Sequence, residues 1–280
     1  MKRRTVRSRR GVALIVVLWS IAVLATITAM ASQGARGSAE MTSNLRAQAI
    51  ARSMAESGVI AASTLIDDSL RVLAGDASAR SSYLNALEPS VDGAPAFLQD
   101  TLADGVLAVT VVDVSARLDV NSAGVEGLTT LLASTTSRMA AEQSAARIDA
   151  YIRGDASTTA SESQRARDSL TASLLGRDLT TRRRPFESLD ALQQIDGIDQ
   201  AALLRVAPLL TVDGNGTVNR RRAAREVIAA ASGSLVDAPS RLLIIARGWQ
   251  RGHALSRQIE AVYDVADDGL RLVRWREREL

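Results

Sequence analysis

An apolar segment without charge opens the chain, and an amphipathic pattern follows it directly. Residues 11–35 contain no charged side chain, and about 20 apolar residues suffice to cross the hydrocarbon core of a membrane as a helix. Beyond Gly37, apolar residues recur at helical spacing and mark one face; they are Ala55, Val59, Ala62, Ile66, Leu70 and Leu73. The pattern predicts one helix from Val12 to about Leu73, apolar all round in its first third and amphipathic afterwards.

The rest of the chain alternates between strand and helix patterns. "GVLAVTVVDVSARLDV" at residues 105–120 is rich in β-branched residues and predicts one or two strands. Residues 128–210 are mostly helical in pattern, and Asn121 and Ser122 are candidates to cap the first of these helices. Three apolar-rich segments, 240–250, 254–265 and 270–277, close the sequence. They predict an antiparallel meander that packs on a helix and leaves one edge free.

A helix-hairpin-helix pattern lies within "PFESLDALQQIDGIDQAALLRVAPLL" (185–210). The first helix begins at Ser188 or the residue before it, and the second ends near Pro208. In DNA-binding helical hairpins, a Gly-rich turn lets backbone amides approach a phosphate. Here Gly197 is the only glycine of the turn, and the carboxylates of Asp196 and Asp199 would repel a phosphate. The pattern disfavours DNA binding, but a periplasmic DNA-binding or DNA-uptake protein stays open as an alternative.

The charge distribution separates the first residues from the rest. The chain has 34 basic and 31 acidic residues, and six of the basic ones precede Gly11 with no acidic residue among them. Without this leader the net charge is slightly negative, which removes the general electrostatic case for a nucleic-acid binder. The six cations also favour a cytoplasmic N-terminus and a C-terminal part outside. The absence of cysteine excludes disulfides, thiol nucleophiles and Cys-based metal sites.

Candidate catalytic and metal-binding residues are few. His253, the one histidine, lies in a predicted turn, so a Ser/His/Asp triad finds little support. The acidic runs Asp67–Asp68 and Asp264–Asp268 are typical of solvated faces. The "DDG" at Asp267–Gly269 has the ligand type that calcium prefers, but a plain hairpin turn is favoured. Trp249 and Trp275 are expected in the core or on a sheet face. A secreted hydrolase remains an alternative, because "AMA" before Ser32 also fits an ordinary signal-peptide cleavage site.

The N-terminal region resembles that of type IV pilins and pseudopilins, in which a basic leader ending in Gly precedes such a helix. The resemblance implies that prepilin peptidase cuts between Gly11 and Val12, so that the apolar helix is retained. Val12 then becomes a methylated N-terminus. Most members carry Glu at the fifth mature position, which here is Val16. The K-type minor pseudopilins of type II secretion characteristically lack this Glu.

Three further motifs occur in the order found in the K-type family. They are "RLDVNSA" at 117–123, "PFESLDALQQIDGI" at 185–198 and "GTVNRRRAAREVIAA" at 216–230. The third departs from the family, because Arg220 to Arg222 stand where a second Asn region is expected. The chain thus resembles the general secretion pathway protein K family. The resemblance implies an α+β fold: a type IV pilin-like long N-terminal helix packed on a small antiparallel sheet, with an inserted all-helical domain.

The resemblance also implies a domain order, a location and partners. The domains are a cleaved leader (1–11), a transmembrane helix segment (12–35), a periplasmic helix with the first strands (36–120), an inserted helical domain (121–235) and C-terminal strands (236–280). The chain would sit in the bacterial inner membrane as a single-pass protein with its C-terminal domain in the periplasm. It would initiate or cap a secretion pseudopilus at its tip. The implied partners are I- and J-type minor pseudopilins, the major pseudopilin, prepilin peptidase and the inner-membrane secretion platform. No enzyme activity, nucleic acid or cofactor is implied, with calcium left open.

Overall fold

A single helix of 63 residues, α1 (Arg10–Val72), dominates the structure. The structure is a computed structural model and describes residues 10–88, 97–154, 184–233 and 235–279. The bounds of α1 agree within two residues with the helix predicted from Val12 to Leu73. A short helix, α2 (Ala77–Ala86), follows, and Asp76 caps it by accepting hydrogen bonds from two backbone N–H groups.

Five antiparallel strands form the main sheet, in the order β1-β2-β7-β8-β9. Their bounds are β1 (Leu98–Leu102), β2 (Gly105–Asp113), β7 (Arg241–Gln250), β8 (Ser256–Ala266) and β9 (Gly269–Glu279). The three predicted C-terminal strands are confirmed as β7, β8 and β9, joined by the two predicted turns. One face of the sheet packs against α1, and β1 and β9 are its edges.

Small side chains let α1 lie close to the sheet. The helix face that contacts the strands is fully buried and consists largely of alanine and other apolar residues: Ala47, Ala51, Ala55, Val59, Ala62, Ile66 and Leu70. Glycines on both sides bring the backbones nearer still. A Cβ at Gly248 of β7 would lie 2.1 Å from the carbonyl oxygen of Ala51, so only glycine fits this crossing.

The chain leaves the sheet after β2 and returns at β7, and the residues between form a second core. This insert contains α3 (Gly124–Leu132), α4 (Arg138–Arg153), α5 (Gln200–Val206) and α6 (Arg225–Ala230). It also contains 3-10 helices at Val114–Ala116, Leu189–Gln194 and Ala207–Leu209. Two short parallel pairs join it internally: β3 (Leu118–Asp119) with β4 (Leu210–Thr211), and β5 (Val218–Asn219) with β6 (Leu235–Val236). The predicted α+β class is confirmed by this element order.

Asn121 and Ser122 do not cap α3. The helix begins at Gly124, and its N-cap, Ala123, makes no side-chain hydrogen bond. Instead, Asn121 Nδ2 donates to the carbonyl oxygens of Phe186 (3.1 Å) and Val212 (3.2 Å), and its Oδ1 accepts from the Phe186 N–H at 2.7 Å. The capping prediction was wrong. The Asn121 side-chain amide can both donate and accept hydrogen bonds, and it pairs with distant backbone groups of both kinds, whereas the N-terminus of a helix offers only N–H donors.

The insert contains a local arrangement that occurs twice. Asp119 and Asn219 each end a two-residue parallel strand, and each accepts a hydrogen bond through Oδ1 from the backbone N–H two residues later. Each backbone carbonyl also accepts two further N–H groups, and a helix follows. The sequences "LDVNSAGVE" (118–126) and "VNRRRAARE" (218–226) share Ala and Glu at matching positions. The same strand-turn-helix unit therefore occurs near the start and near the end of the insert.

Candidate functional site

The first half of α1 stands outside both cores. Every described side chain between Leu14 and Arg46 is exposed or partly exposed, and the first buried residue is Ala47. Within the described part of the chain, this is the one helix long and apolar enough to cross a membrane by length and composition, with a mean hydropathy of 2.4 over its best window. A helix rises about 1.5 Å per residue, so 20 apolar residues span about 30 Å.

The few polar groups of this apolar segment are satisfied within the helix. The hydroxyls of Ser20, Thr26 and Thr28 each donate at 2.8 Å to the backbone carbonyl four residues earlier. An unpaired hydroxyl in hydrocarbon is costly, so these bonds make the segment compatible with lipid. Val16 projects outward with 56% of its surface exposed. Gly11 and Val12 lie in α1, but their side chains are outside the described set, so cleavage and methylation there stay predictions.

The insert attaches at the end of the sheet that is farther from the apolar segment. Ala51, early in the packed half of α1, contacts Gly248. Asp67, near the end of α1, accepts a hydrogen bond from the Leu270 N–H at 2.9 Å. The chain enters the insert after Asp113 at this Leu270 end, where β2 and β8 end and β7 and β9 begin. Along the helix, this end lies about 50 Å beyond the last residues of the apolar segment.

A network of ion pairs joins the insert to the outer face of the sheet. Asp213 of the insert is buried and accepts from Arg274 at 3.2 Å and from Arg276, both on β9. Arg241 at the start of β7 donates to the Asp213 carbonyl at 2.9 Å and pairs with Asp264 of β8 at 2.6 Å. Separating the insert from the sheet would leave these buried charges without their partners, which is strongly destabilising. The contacts therefore hold the insert in a fixed position on the sheet.

Intramolecular contacts occupy the turn of the helical hairpin. Gly197 adopts φ +74°, and the guanidinium of Arg147 packs beneath it and donates to the Asp196 carbonyl at 2.8 Å. Asp199 caps α5, and hydrogen bonds from the Ala202 N–H and then the Thr136 hydroxyl lower the pKa of its carboxyl. A carboxylate therefore holds the position at which a DNA phosphate would contact backbone amides.

A cluster of polar residues lies where the insert joins the sheet. The sequence did not indicate that these residues would be close together. Asn219, fully buried, donates through Nδ2 to Asp113 Oδ2 (2.7 Å) and to Asn85 Oδ1 (2.9 Å). Asp113 also accepts from the Ser115 hydroxyl at 2.5 Å. Asn219 lies within the "GTVNRRRAAREVIAA" motif at 216–230. Its hydrogen-bond partners on α2 and β2 are far away in sequence, and no local sequence pattern predicts them.

The remaining candidates lie apart from one another. His253 is in the turn between β7 and β8, where its backbone N–H donates to Gln250. The Asp267–Gly269 segment is a hairpin turn whose Asp267 carbonyl accepts from Arg80 at 2.9 Å. Trp249 is partly buried and Trp275 is 42% exposed on β9. Among the described residues, no three His, Cys, Asp or Glu side chains are grouped so as to hold a metal ion.

Comparison with known proteins finds a likeness among solved structures. No protein-family model and no curated protein matches the chain. Among solved structures, the chain is similar to a chain of the GspK-GspI-GspJ complex from the type 2 secretion system of enterotoxigenic Escherichia coli. The likeness covers 76% of this chain and 97% of that chain, at 11% identity and a TM-score of 0.47.

Proposed function

We propose that this chain is a K-type minor pseudopilin at the tip of a type II secretion pseudopilus, where it initiates or caps assembly for protein export across the outer membrane. The observation that carries the proposal is the continuity of α1. An exposed apolar half and a half packed on the sheet form one helix without interruption. A signal-peptide cut after Ala31 would divide this helix, whereas a cut after Gly11 retains the apolar half as the segment that packs with other subunits.

Two features support a place at the tip. A carboxylate at the depth of Val16 is costly in lipid and favours pairing with the N-terminal amine of another subunit. A subunit with valine there cannot supply this contact and therefore suits an end of the fibre. The insert lies at the end of the sheet far from the apolar segment, so it would obstruct a further subunit stacked above. Both features agree with a terminal position.

The proposed location and partners follow from the same arrangement. Six basic residues hold the N-terminus in the cytoplasm, the apolar half of α1 spans the inner membrane once, and the sheet and insert lie in the periplasm. Prepilin peptidase would process the chain. Its partners in the fibre would be I- and J-type minor pseudopilins and the major pseudopilin, assembled on the inner-membrane platform. By this proposal the chain is an assembly protein without catalytic residues.

Mass spectrometry of the mature N-terminus tests the proposal. Expressed with prepilin peptidase, the chain should begin at a methylated Val12, and without the peptidase it should keep its leader. Gly11→Val should block cleavage, whereas Gly37→Ala, at a glycine with open space around it, should leave cleavage unchanged. A mature chain that begins at Ser32 would identify an ordinary signal peptide and overturn the proposal.

A further inference from the structure

The three consecutive arginines that depart from the family motif have different surroundings. Arg220 forms a two-pronged ion pair with Asp237, with Nη2 at 2.6 Å from Oδ2. Arg222 Nη2 donates to the Glu88 carbonyl at 3.0 Å. Arg221 lies between them, and its nearest carboxylate oxygen, on Asp237, is 3.9 Å from its Nε. Within the described residues, the Arg221 guanidinium therefore has an ion-pair neighbour but makes no hydrogen bond.

Arg221 lines a cavity of about 390 Å³ between the insert and Glu88, which follows α2. Arg117 and Arg222 also line it, and Glu88 is the one carboxylate among its described lining residues. Among the described lining residues, three positive charges stand against one negative charge, a balance that favours an anion. Pro208 and Leu209 add an aliphatic wall beside these charges.

Glu88 shows what kind of group these arginines accept. Its Oε1 lies 3.4 Å from Arg117 Nη2, its Oε2 lies 3.8 Å from Arg222 Nη2, and Oε2 also accepts from the Asp113 N–H at 3.1 Å. A carboxylate on an aliphatic stem thus already occupies one side of the cavity. Arg221 also lines the cavity, and its side chain is 57% exposed, so it is accessible to a second carboxylate.

We propose that this cavity binds an acidic side chain, glutamate or aspartate, from an exposed segment of a partner protein. Its concave shape and aliphatic wall fit a carboxylate with its short stem. A single arginine whose guanidinium makes no hydrogen bond among the described residues is too few for a nucleic-acid backbone. A lipid headgroup is excluded by position, because the cavity lies at the sheet end about 50 Å along α1 from the apolar segment. The site requires only the cavity and holds whether or not the chain joins a pseudopilus.

Isothermal titration of the full chain in a neutral detergent tests this site. The probe is a blocked peptide, acetyl-Gly-Glu-Leu-Glu-Gly-amide, compared with its glutamine counterpart at low ionic strength. The glutamate peptide should bind more tightly, and Arg221→Gln should weaken its binding about fivefold, since a partly exposed ion pair contributes up to about 1 kcal/mol. Arg251→Gln, in the exposed turn after β7, is the matched control and should leave binding unchanged.

Several results would overturn the site. They are equal binding of the glutamate and glutamine peptides, an equal loss in Arg251→Gln, or no loss in Arg221→Gln. Tighter binding of an oligonucleotide or of phosphatidylglycerol vesicles that depends on Arg221 would assign the cavity to another ligand class. Because the Arg221 side chain makes no hydrogen bond within the described residues, Arg221→Gln should unfold at the wild-type temperature, so lost binding would not reflect lost folding. Arg221→Lys should bind with intermediate affinity, since it keeps the charge but not the planar fork.

Discussion

Replacing Gly248 by alanine should destabilise the packing of α1 on the sheet more than any other glycine-to-alanine change on that interface. The new Cβ would lie 2.1 Å from the carbonyl oxygen of Ala51, 2.5 Å from the backbone nitrogen of Ala55 and 2.8 Å from the Cβ of Met54. Two of these atoms belong to the helix backbone, which cannot rotate away as a side chain can. Helix and strand must therefore separate by about 1 Å to restore ordinary contact distances.

The cost follows from what that separation disturbs. Added methyl groups in a packed core usually cost about 1–3 kcal/mol, and a clash with backbone belongs at the upper end. The same displacement loosens the contacts of Ala51, Ala55 and Val59, which are fully buried between α1 and the strands. We expect a loss of about 3 kcal/mol in the free energy of unfolding, which lowers Tm by roughly 6–12 °C for a domain of this size.

Two other glycines make the prediction specific. A Cβ at Gly75, after α1, meets nothing within 4 Å, so Gly75→Ala should change stability little. Gly58→Ala places its methyl group 3.0 Å from Val109 Cγ2, but it also gains about 0.5–1 kcal/mol of helix propensity, so its net effect should lie near zero. Thermal unfolding followed by circular dichroism orders the three variants. A Gly248→Ala protein within 0.5 kcal/mol of Gly75→Ala, on the order of ordinary surface substitutions, would refute the close crossing of α1 and β7.

The polar positions give three more predictions. Asn121→Ala should destabilise the insert by about 2–3 kcal/mol, measured by urea unfolding, because the backbone groups of Phe186 and Val212 lose their partners. Burial raises the pKa of the Asp119 carboxyl, against weaker lowering by hydrogen bonds from Ser122 and Asn121. The folded state therefore binds this proton more tightly, and Asp119 contributes stability at low pH that is lost as pH rises through its folded pKa. Asp119→Asn should accordingly stabilise the protein at pH 7, with a gain that fades below pH about 4. Val16→Glu should leave processing intact but disturb tip placement, measured by secretion and fibre initiation.

Each of these predictions has a result that contradicts it. Unfolding of Asn121→Ala at the wild-type urea midpoint would show that its hydrogen bonds contribute nothing net. A gain in Asp119→Asn that persists unchanged at pH 3 would point to a cause other than desolvation of the carboxylate. Unaltered secretion and fibre initiation in Val16→Glu would count against the role assigned to the missing carboxylate, provided that its mature N-terminus is still Val12.

Periodic burial made much of the fold predictable from the sequence. Spacing of three or four residues identified α1 because one face of the helix is buried over its whole packed length, from Ala47 to Leu70. The richness of three C-terminal segments in apolar residues identified β7, β8 and β9. The structure adds that small residues at Ala51 and Gly248 set how closely helix and strand approach, a property that depends on both elements at once.

The candidate site was less accessible to sequence reasoning because its parts are far apart in the chain. Arg117, Glu88 and Arg222 meet at one cavity, yet each stands in a different local pattern. The arginine triplet was visible as a departure from a motif, but the sequence does not show that its members differ in their surroundings. Arg220 pairs with Asp237, whereas Arg221 lines the cavity and its side chain makes no hydrogen bond within the described residues. The capping prediction for Asn121 failed because the local sequence around a helix cap does not differ from that around a residue that hydrogen-bonds to distant backbone groups.

The pairing of β2 with β7 has a consequence for chain entropy. These two strands form a direct antiparallel pair in which Asp113 is opposite Leu242, so everything between them acts as the connection of a hairpin. A flexible connection of that length would cost roughly 3 kcal/mol more to close than a four-residue turn. The insert avoids this penalty because its own fold brings its ends together, with the Ser240 N–H donating to the Ser115 hydroxyl at 3.2 Å. The loop-closure entropy for pairing β2 with β7 is therefore similar to that of a tight turn. The insert can be enlarged or exchanged without weakening the pairing of the two strands that flank it.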